Sequence, residues 1–373
     1  MKKFVALLMA LCLIFGGCAG TGGEADTQVP TTAPVTEAPT TVPVTQAPTE
    51  APATEPPTEE PTEAPTEPAL PTNPFTGETL EAPLESRPFA VSINNVQGAM
   101  PLHGVSRADI FFEMFINDYC TRGLAIFSDL SQVDHVGSVR SLRYNFTDLS
   151  RIYDAVVVHA GGSEQVMNDL KNRGVNNVNV AYGGSGYYYR DQGRLDAGYA
   201  LEHTMMIRGA QTVDYAESRG TRVTGDPEKD YGLRFRQDGT PEGQEATRIN
   251  INLVHGPITK KTVMEYSADE GKYQFCQYGK AMYDPAEKQN ICFENVIIMM
   301  CYVYNDGVYH VADLVGSGEG FFACGGKIIP IKWVHEKMED PIRFMLEDGT
   351  PLELGVGNTY IAIAPLTSSV EFQ

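Results

Sequence analysis

Residues 24–72 restrict what this chain can fold into more than any other stretch. These 49 residues hold 12 Pro, 13 Thr and nine carboxylates, with no Lys, Arg or aromatic side chain. Each Pro removes a backbone donor, and so few large apolar groups cannot offset the entropy lost on ordering. The tract is therefore expected to stay disordered. Thr36-Glu37-Ala38-Pro39 and Thr62-Glu63-Ala64-Pro65 recur irregularly, which marks low complexity and not a solenoid repeat. At about 3.1 Å per residue in polyproline form, the tract reaches roughly 150 Å. It can act as a tether, and whatever folds must follow it.

Before the tether, Met1-Lys2-Lys3 is a short basic start and Phe4 to Phe15 an apolar run. This is the plan of a secretory signal, too short for a hydrocarbon core that needs about 20 residues. Phe15-Gly16-Gly17-Cys18 resembles a bacterial lipobox, so Cys18 is the expected lipidation site. Residues 1–17 are then a lipoprotein signal peptide and 18–72 the tether. Acyl chains such as palmitate, at about 0.8 kcal/mol per buried methylene, would supply the membrane anchor that the acidic chain lacks.

The formal net charge is −20 and the pI near 4.7. Nucleic acid is excluded as a partner, because clustered Lys and Arg supply most of that affinity. The tether carries nine carboxylates and the leader two Lys, so residues 73–373 keep −13. Five cysteines remain beyond the leader and Cys18, namely Cys120, Cys276, Cys292, Cys301 and Cys324. Their apolar neighbours suggest buried thiols, with a Cys276–Cys292 bridge across a hairpin as the alternative. The chain lacks a C-x-x-C pair, an H-E-x-x-H pair and a G-x-S-x-G elbow. No metal and no cofactor is therefore expected. Gly316-Ser317-Gly318-Glu319-Gly320 runs into Phe321 and Phe322 with no helix following, so it reads as a turn or bulge and not a dinucleotide fingerprint.

Residues 73–240 alternate apolar strand runs (Phe89 to Ile93, Ile110 to Phe115, Leu124 to Phe127, Ala155 to Val158) with helical spacing over 142–153, 163–173 and 212–218. That pattern predicts an α/β domain. Residues 244–373 show period-two alternation at Ile249 to Leu253, β-prone runs at 273–278 and 296–304, and hairpin turns at Asn305-Asp306-Gly307 and Asp348-Gly349. They predict a mainly antiparallel β domain, with Trp333 in its core.

The block from Val136 to Glu164 carries the most chemistry. A strand ending in His159 runs into Gly161-Gly162-Ser163, which opens a helix, and Arg140 and Arg143 stand close by in sequence. Helix starts present backbone N–H groups, and arginine forks suit carboxylate or phosphate. Arg140, Arg143, Gly161, Gly162 and Ser163 are thus candidate ligand-binding residues; the competing reading is a plain helix cap with surface ion pairs. A second polar group, Tyr187-Tyr188-Tyr189-Arg190-Asp191 and Glu202-His203-Thr204, could serve glycan cleavage by paired carboxylates. Asp109, Glu113, Asp191 and Glu202 are the available carboxylates. Glu113, His159, Asp191 and His203 are the candidate catalytic residues.

Arg87-Pro88-Phe89 through Asn94-Asn95, Ala108-Asp109-Ile110 through Glu113, Thr121-Arg122, Gly137-Ser138-Val139-Arg140-Ser141 and Tyr153-Asp154-Ala155 through Ser163 resemble the YerB-type lipoproteins of Gram-positive bacteria. The resemblance extends through Tyr189-Arg190-Asp191 and Glu202-His203-Thr204, where that family usually has Pro-His-Asn. A weaker one continues through 316–318, Lys332-Trp333 and Gly349. It implies a lipid-anchored envelope protein of two linked domains with no established reaction. The chain is expected on the outer face of the cytoplasmic membrane, reaching into the cell wall. It would bind an envelope component or partner protein through the cleft of the first domain. A cell-wall hydrolase of glycan or peptide bonds is the alternative, and a transporter's solute-binding protein a weaker third. If Cys18 is the sole anchor, Cys18→Ala moves the protein from the membrane fraction to the medium or wall; retention after a detergent-free salt wash contradicts this.

Overall fold

The computed structural model describes residues 70–117, 120–182 and 186–373. The leader, Cys18 and nearly all of the tether lie outside the described residues. In the first region, β-branched and aromatic runs form β1 (Phe89–Asn94), β2 (Ile110–Asn117), β3 (Cys120–Phe127), β4 (Val156–His159) and β5 (Asn177–Asn179). Helices α1 (Tyr144–Ile152) and α2 (Glu164–Asn172) flank β4, and α3 (Gly209–Ser218) follows later. β2–β3 and β3–β1 pair antiparallel, whereas β1–β4 and β4–β5 pair parallel.

The second region supplies β6 (Arg248–His255), β7 (Ile258–Ser267), β8 (Lys272–Gln277), β9 (Asn295–Cys301), β10 (Val303–Asn305), β11 (His310–Ala312), β12 (Gly316–Cys324), β13 (Lys327–His335), β14 (Thr359–Pro365) and β15 (Ser369–Phe372). It is mainly antiparallel, as its alternation and hairpin turns predict. The two regions nevertheless share one 11-stranded sheet. β14 lies between β9 and β2 and runs parallel to both. All seven of its residues are buried, and a strand covered on both faces reads as a continuous apolar run without alternation.

A second sheet, built on β8, β7, β6 and β15, covers one face of the large one. Phe275 stands 5.8 Å from Phe111 and 5.5 Å from Tyr360, ring centre to ring centre, and Phe293 lies 5.7 Å from Tyr360. The opposite face holds α1, α2 and a cluster that includes Tyr153, Trp333 and Leu354. Trp333 is core, as expected, with its indole N–H donated to the Met300 carbonyl at 2.9 Å. The five described cysteines are free thiols, three buried and two half-buried.

One expectation is corrected. Gly316 to Gly320 is neither turn nor bulge but the start of β12. A β-carbon at Gly318 would stand 2.5 Å from the Trp333 indole nitrogen, and one at Gly320 would stand 2.2 Å from the Ile298 carbonyl. These glycines admit close neighbours across the sheet.

The residue most deeply engaged between the sheets is Glu113, wholly buried on β2. Oε1 accepts from Asn95 (2.9 Å) and Thr121 (2.7 Å), and Oε2 accepts from Thr262 (2.8 Å), Gln277 (3.2 Å) and Tyr360 (2.7 Å). Lys260 Nζ approaches Oε1 at 3.4 Å. Burial opposes the charge, but Lys260 and the hydroxyl donors outweigh it and hold the carboxyl below its ordinary 4.5. Glu113→Leu would leave Lys260 buried without a counter-ion, at a cost of about 3–5 kcal/mol. Calorimetry at pH 7 should show melting lowered by at least about 6 °C. Because the folded carboxyl titrates below 4.5, its stabilisation is present above that value and lost as pH falls through the folded pKa. The gap between wild type and variant should therefore narrow in acid. A variant melting within about 1 °C of wild type at pH 7 would show that the network contributes little.

Candidate functional site

β1 and β4 pair in parallel up to Val91 and Val158, and beyond that point the segment Ser138 to Leu142 enters between them. Asn94 N–H donates to the Ser138 carbonyl (2.9 Å) and Arg140 N–H to Ser92 (2.8 Å). On the other side, Ala160 N–H donates to Arg140 (2.9 Å) and Leu142 N–H to Gly161 (2.8 Å). Gly161 turns the chain here at φ +72°, a conformation that favours glycine. The arginine segment is thereby held at the carboxyl ends of parallel strands, where open α/β sheets usually place ligands.

Three guanidinium groups meet there. Arg122 comes from β3, opposite Asn94 and Met114, and is only 3% exposed. Its Nη1 donates to the Ser141 carbonyl at 2.7 Å. Arg143 donates to Leu142 at 2.7 Å and sits 4.4 Å from the centre of the Tyr309 ring. The Nε groups of Arg122, Arg140 and Arg143 are buried and have no hydrogen-bond partner. Burial, then the charges of Arg143 and Arg140, pull Arg122 well below the ordinary arginine value. Among the described residues the nearest carboxylate to the group is Glu202, 4.0 Å from Arg140, and no ion pair engages Arg122 or Arg143. Helix α1 begins directly after Arg143 with no side-chain cap, adding the positive end of a helix dipole. Gathering like charges away from water costs several kcal/mol unless an anion joins them.

The other expected residues separate by geometry. His203 joins this group: its Nδ1 accepts from the Asn94 amide at 2.8 Å, and it follows Glu202, the partner of Arg140. Burial lowers its pKa; Glu202 acts against that and Arg140 with it, so the ring tends to neutrality. Asp191 instead caps a one-turn helix, Gln192–Asp196, accepting from Arg194 N–H at 3.1 Å. His159 is wholly buried, with its ring nitrogens against the Gly161 carbonyl and Asn177. Glu113 is enclosed as described above. Asp109 accepts from Ser128 N–H at 2.5 Å, and burial pushes its carboxyl up to about 6. Ser163 caps α2 by accepting from Val166, Gly161 N–H is taken by Asn179, and Gly162 packs beside Leu142 and Met167. Among the described residues no group of three His, Cys, Asp or Glu could hold a metal.

Arg122 is the member that sequence reasoning did not single out. Its signal was a charge two residues before the apolar run Leu124 to Phe127, in what becomes the same strand. Tyr309 was missed as well, because it arrives from the second region on the hairpin of β10 and β11. Asn145 of α1 holds that hairpin in place through two bonds with Ala312, at 2.7 and 2.8 Å.

Two family models match the chain. The N-terminal domain of a protein of unknown function, DUF3048, matches residues 75–222, and the C-terminal domain of the same family matches residues 254–361. YerB of Bacillus subtilis (strain 168), whose name classes it as a lipoprotein, is 25% identical over 306 residues, covering 78% of this chain and 88% of that protein. A crystal structure of YerB from Bacillus subtilis superposes with a TM-score of 0.70 at 25% identity, over 80% of this chain and 99% of the crystallised one. The α/β region and the β-rich region thus correspond to the two domains of one family, and the chain belongs to the DUF3048 family, the YerB-type lipoproteins, whose function is unknown.

Proposed function

We propose that this protein is a lipid-anchored envelope protein that captures a carboxylate- or phosphate-bearing component of the envelope at Arg122, Arg140 and Arg143. The observation that carries the reading is Arg122, a nearly buried cation with an unpartnered Nε beside two more cations, in a chain whose net charge is −20. A focused positive spot on an acidic surface selects for an anion that reaches in, while the surrounding field repels bulk anions. Kinship with a protein named as a lipoprotein supports the anchor expected at Cys18. The tether would set the site away from the membrane, towards the wall.

The hydrolase alternative draws less support. Glu113 and Asp191 are engaged in structural bonds, and the Nδ1 of His203 is taken by the Asn94 amide.

The test is a titration of the purified full chain with inorganic phosphate, a simple monocarboxylate and solubilised wall fragments. Charge-assisted bonds contribute about 1.5–3 kcal/mol each, so Arg143→Glu should weaken binding at least about tenfold. Circular dichroism and melting temperature should stay near wild type, because Arg143 is part-exposed at the start of α1. Phosphate and carboxylate arms separate the two sources of anion. Equal affinity in a folded Arg143→Glu variant, or no salt-sensitive binding by wild type, would overturn the reading.

A further inference from the structure

The surface beyond Arg143 differs in chemistry from the arginine cluster and adjoins it. Tyr144, the first residue of α1, has its ring centre 6.5 Å from that of Tyr309, the ring beneath Arg143. On its other side Tyr144 lines a cavity of about 520 Å³ together with Tyr304, Asp306 and Asp313, within the usual size of small-ligand sites. Tyr304 stacks on Tyr302 at 6.4 Å. These two rings are 44% and 62% exposed, unusual for large aromatic side chains on a hairpin whose backbone is already paired. The run Arg143, Tyr309, Tyr144, Tyr304, Tyr302 therefore passes from a cationic end to an exposed aromatic shelf.

The cavity's carboxylates decide which ligand suits this run. Asp148 and Asp169 are neutralised by Arg173. Asp306 accepts from the Val308 and Tyr309 N–H groups and Asp313 from Val315, leaving lone pairs that face outward as acceptors. A polyanion lying across both places would be repelled here, whereas neutral hydroxyl groups would find acceptors and the aromatic faces would take apolar ring C–H surfaces.

We infer that the ligand of the arginine cluster is a saccharide with its acid group at one end, whose neutral sugar rings lie on Tyr304 and Tyr302. This rests on the anion reading above and adds the chemical class of the molecule. Sugar rings match the shelf because they carry an apolar face and a hydroxyl rim, the two features that exposed tyrosines beside carboxylates can satisfy together. The second domain then contributes to recognition through its β10–β11 hairpin, while the first domain holds the charge.

Calorimetric titration of the full chain tests it with four probes: a disaccharide of two N-acetylated amino sugars bearing one lactyl carboxylate, the same disaccharide with that carboxylate reduced to an alcohol, inorganic phosphate, and pentaglutamate. Wild type should bind the acidic disaccharide at least tenfold more tightly than phosphate, and the reduced form at least tenfold more weakly than the acidic one. Tyr304→Ala combined with Tyr302→Ala should cut the disaccharide-to-phosphate affinity ratio about tenfold. These side chains are exposed, so loss of fold is not expected, and circular dichroism checks it. A ratio unchanged by the double substitution, or a disaccharide bound no better than phosphate, overturns the saccharide inference and leaves the arginine site standing. Pentaglutamate binding more tightly than the disaccharide overturns it in favour of an acidic peptide. Undiminished binding of the reduced disaccharide would sink the arginine reading and keep the aromatic shelf.

Discussion

Glu113 joins parts of the chain that are distant in sequence. A carboxylate wholly removed from water is tolerable only when its lone pairs are occupied and a counter-ion is near. Here the donors come from β2's neighbours on both sides and from the second sheet: Thr121 on β3, Tyr360 on β14, Thr262 on β7 and Gln277 at the end of β8. The network can be complete only when β14 sits beside β2 and the second sheet covers that face. The polar requirement thus enforces the same register that the ring contacts among Phe111, Phe275 and Tyr360 favour by apolar contact. Asn95, another donor to Glu113, follows directly on Asn94, which holds His203. Core and candidate site share one short segment.

That segment explains why the arginines face one another. β1 and β4 run parallel, and the insertion of Ser138 to Leu142 uses backbone groups that would otherwise lack partners at the end of the pairing. Arg140 and Arg143 are carried in on it, while Arg122 arrives on β3 because residues on a strand alternate between faces. The resulting charge density is unfavourable for the protein alone. The cost lies beside a helix start with no side-chain cap, and it is this that the proposed anion would offset.

The strands β1 to β4 and the three helices of the first region were legible because each is a short apolar or helically spaced run with a punctuated end. Phe89 to Ile93, Ile110 to Phe115 and the Ser163 cap are examples. By contrast, β5 and the one-turn helix Gln192–Asp196 are polar and were not legible. The Gly316 to Gly320 run was misleading for a physical reason. Glycine there meets the close approach of Trp333 and the Ile298 carbonyl across the sheet, and local composition cannot distinguish that need from a turn. Arg140 and Arg143 were visible as a pair, but their convergence with Arg122 and Tyr309 was not, since it depends on pairings between segments far apart along the chain.

The amino-acid sequence by itself determined what is local: the lipobox-like Phe15-Gly16-Gly17-Cys18, a Pro- and Thr-rich tract poor in large apolar groups, and alternating or helical periodicities that specify element type. These follow from composition and spacing within a few residues. Tertiary structure alone decided what is distant: that β14 enters the sheet between β2 and β9, that Glu113 is enclosed by donors from both regions, and that three arginines meet below an aromatic hairpin. Such contacts are selected by the burial and hydrogen-bond satisfaction of the whole chain at once, and no window of sequence contains both partners.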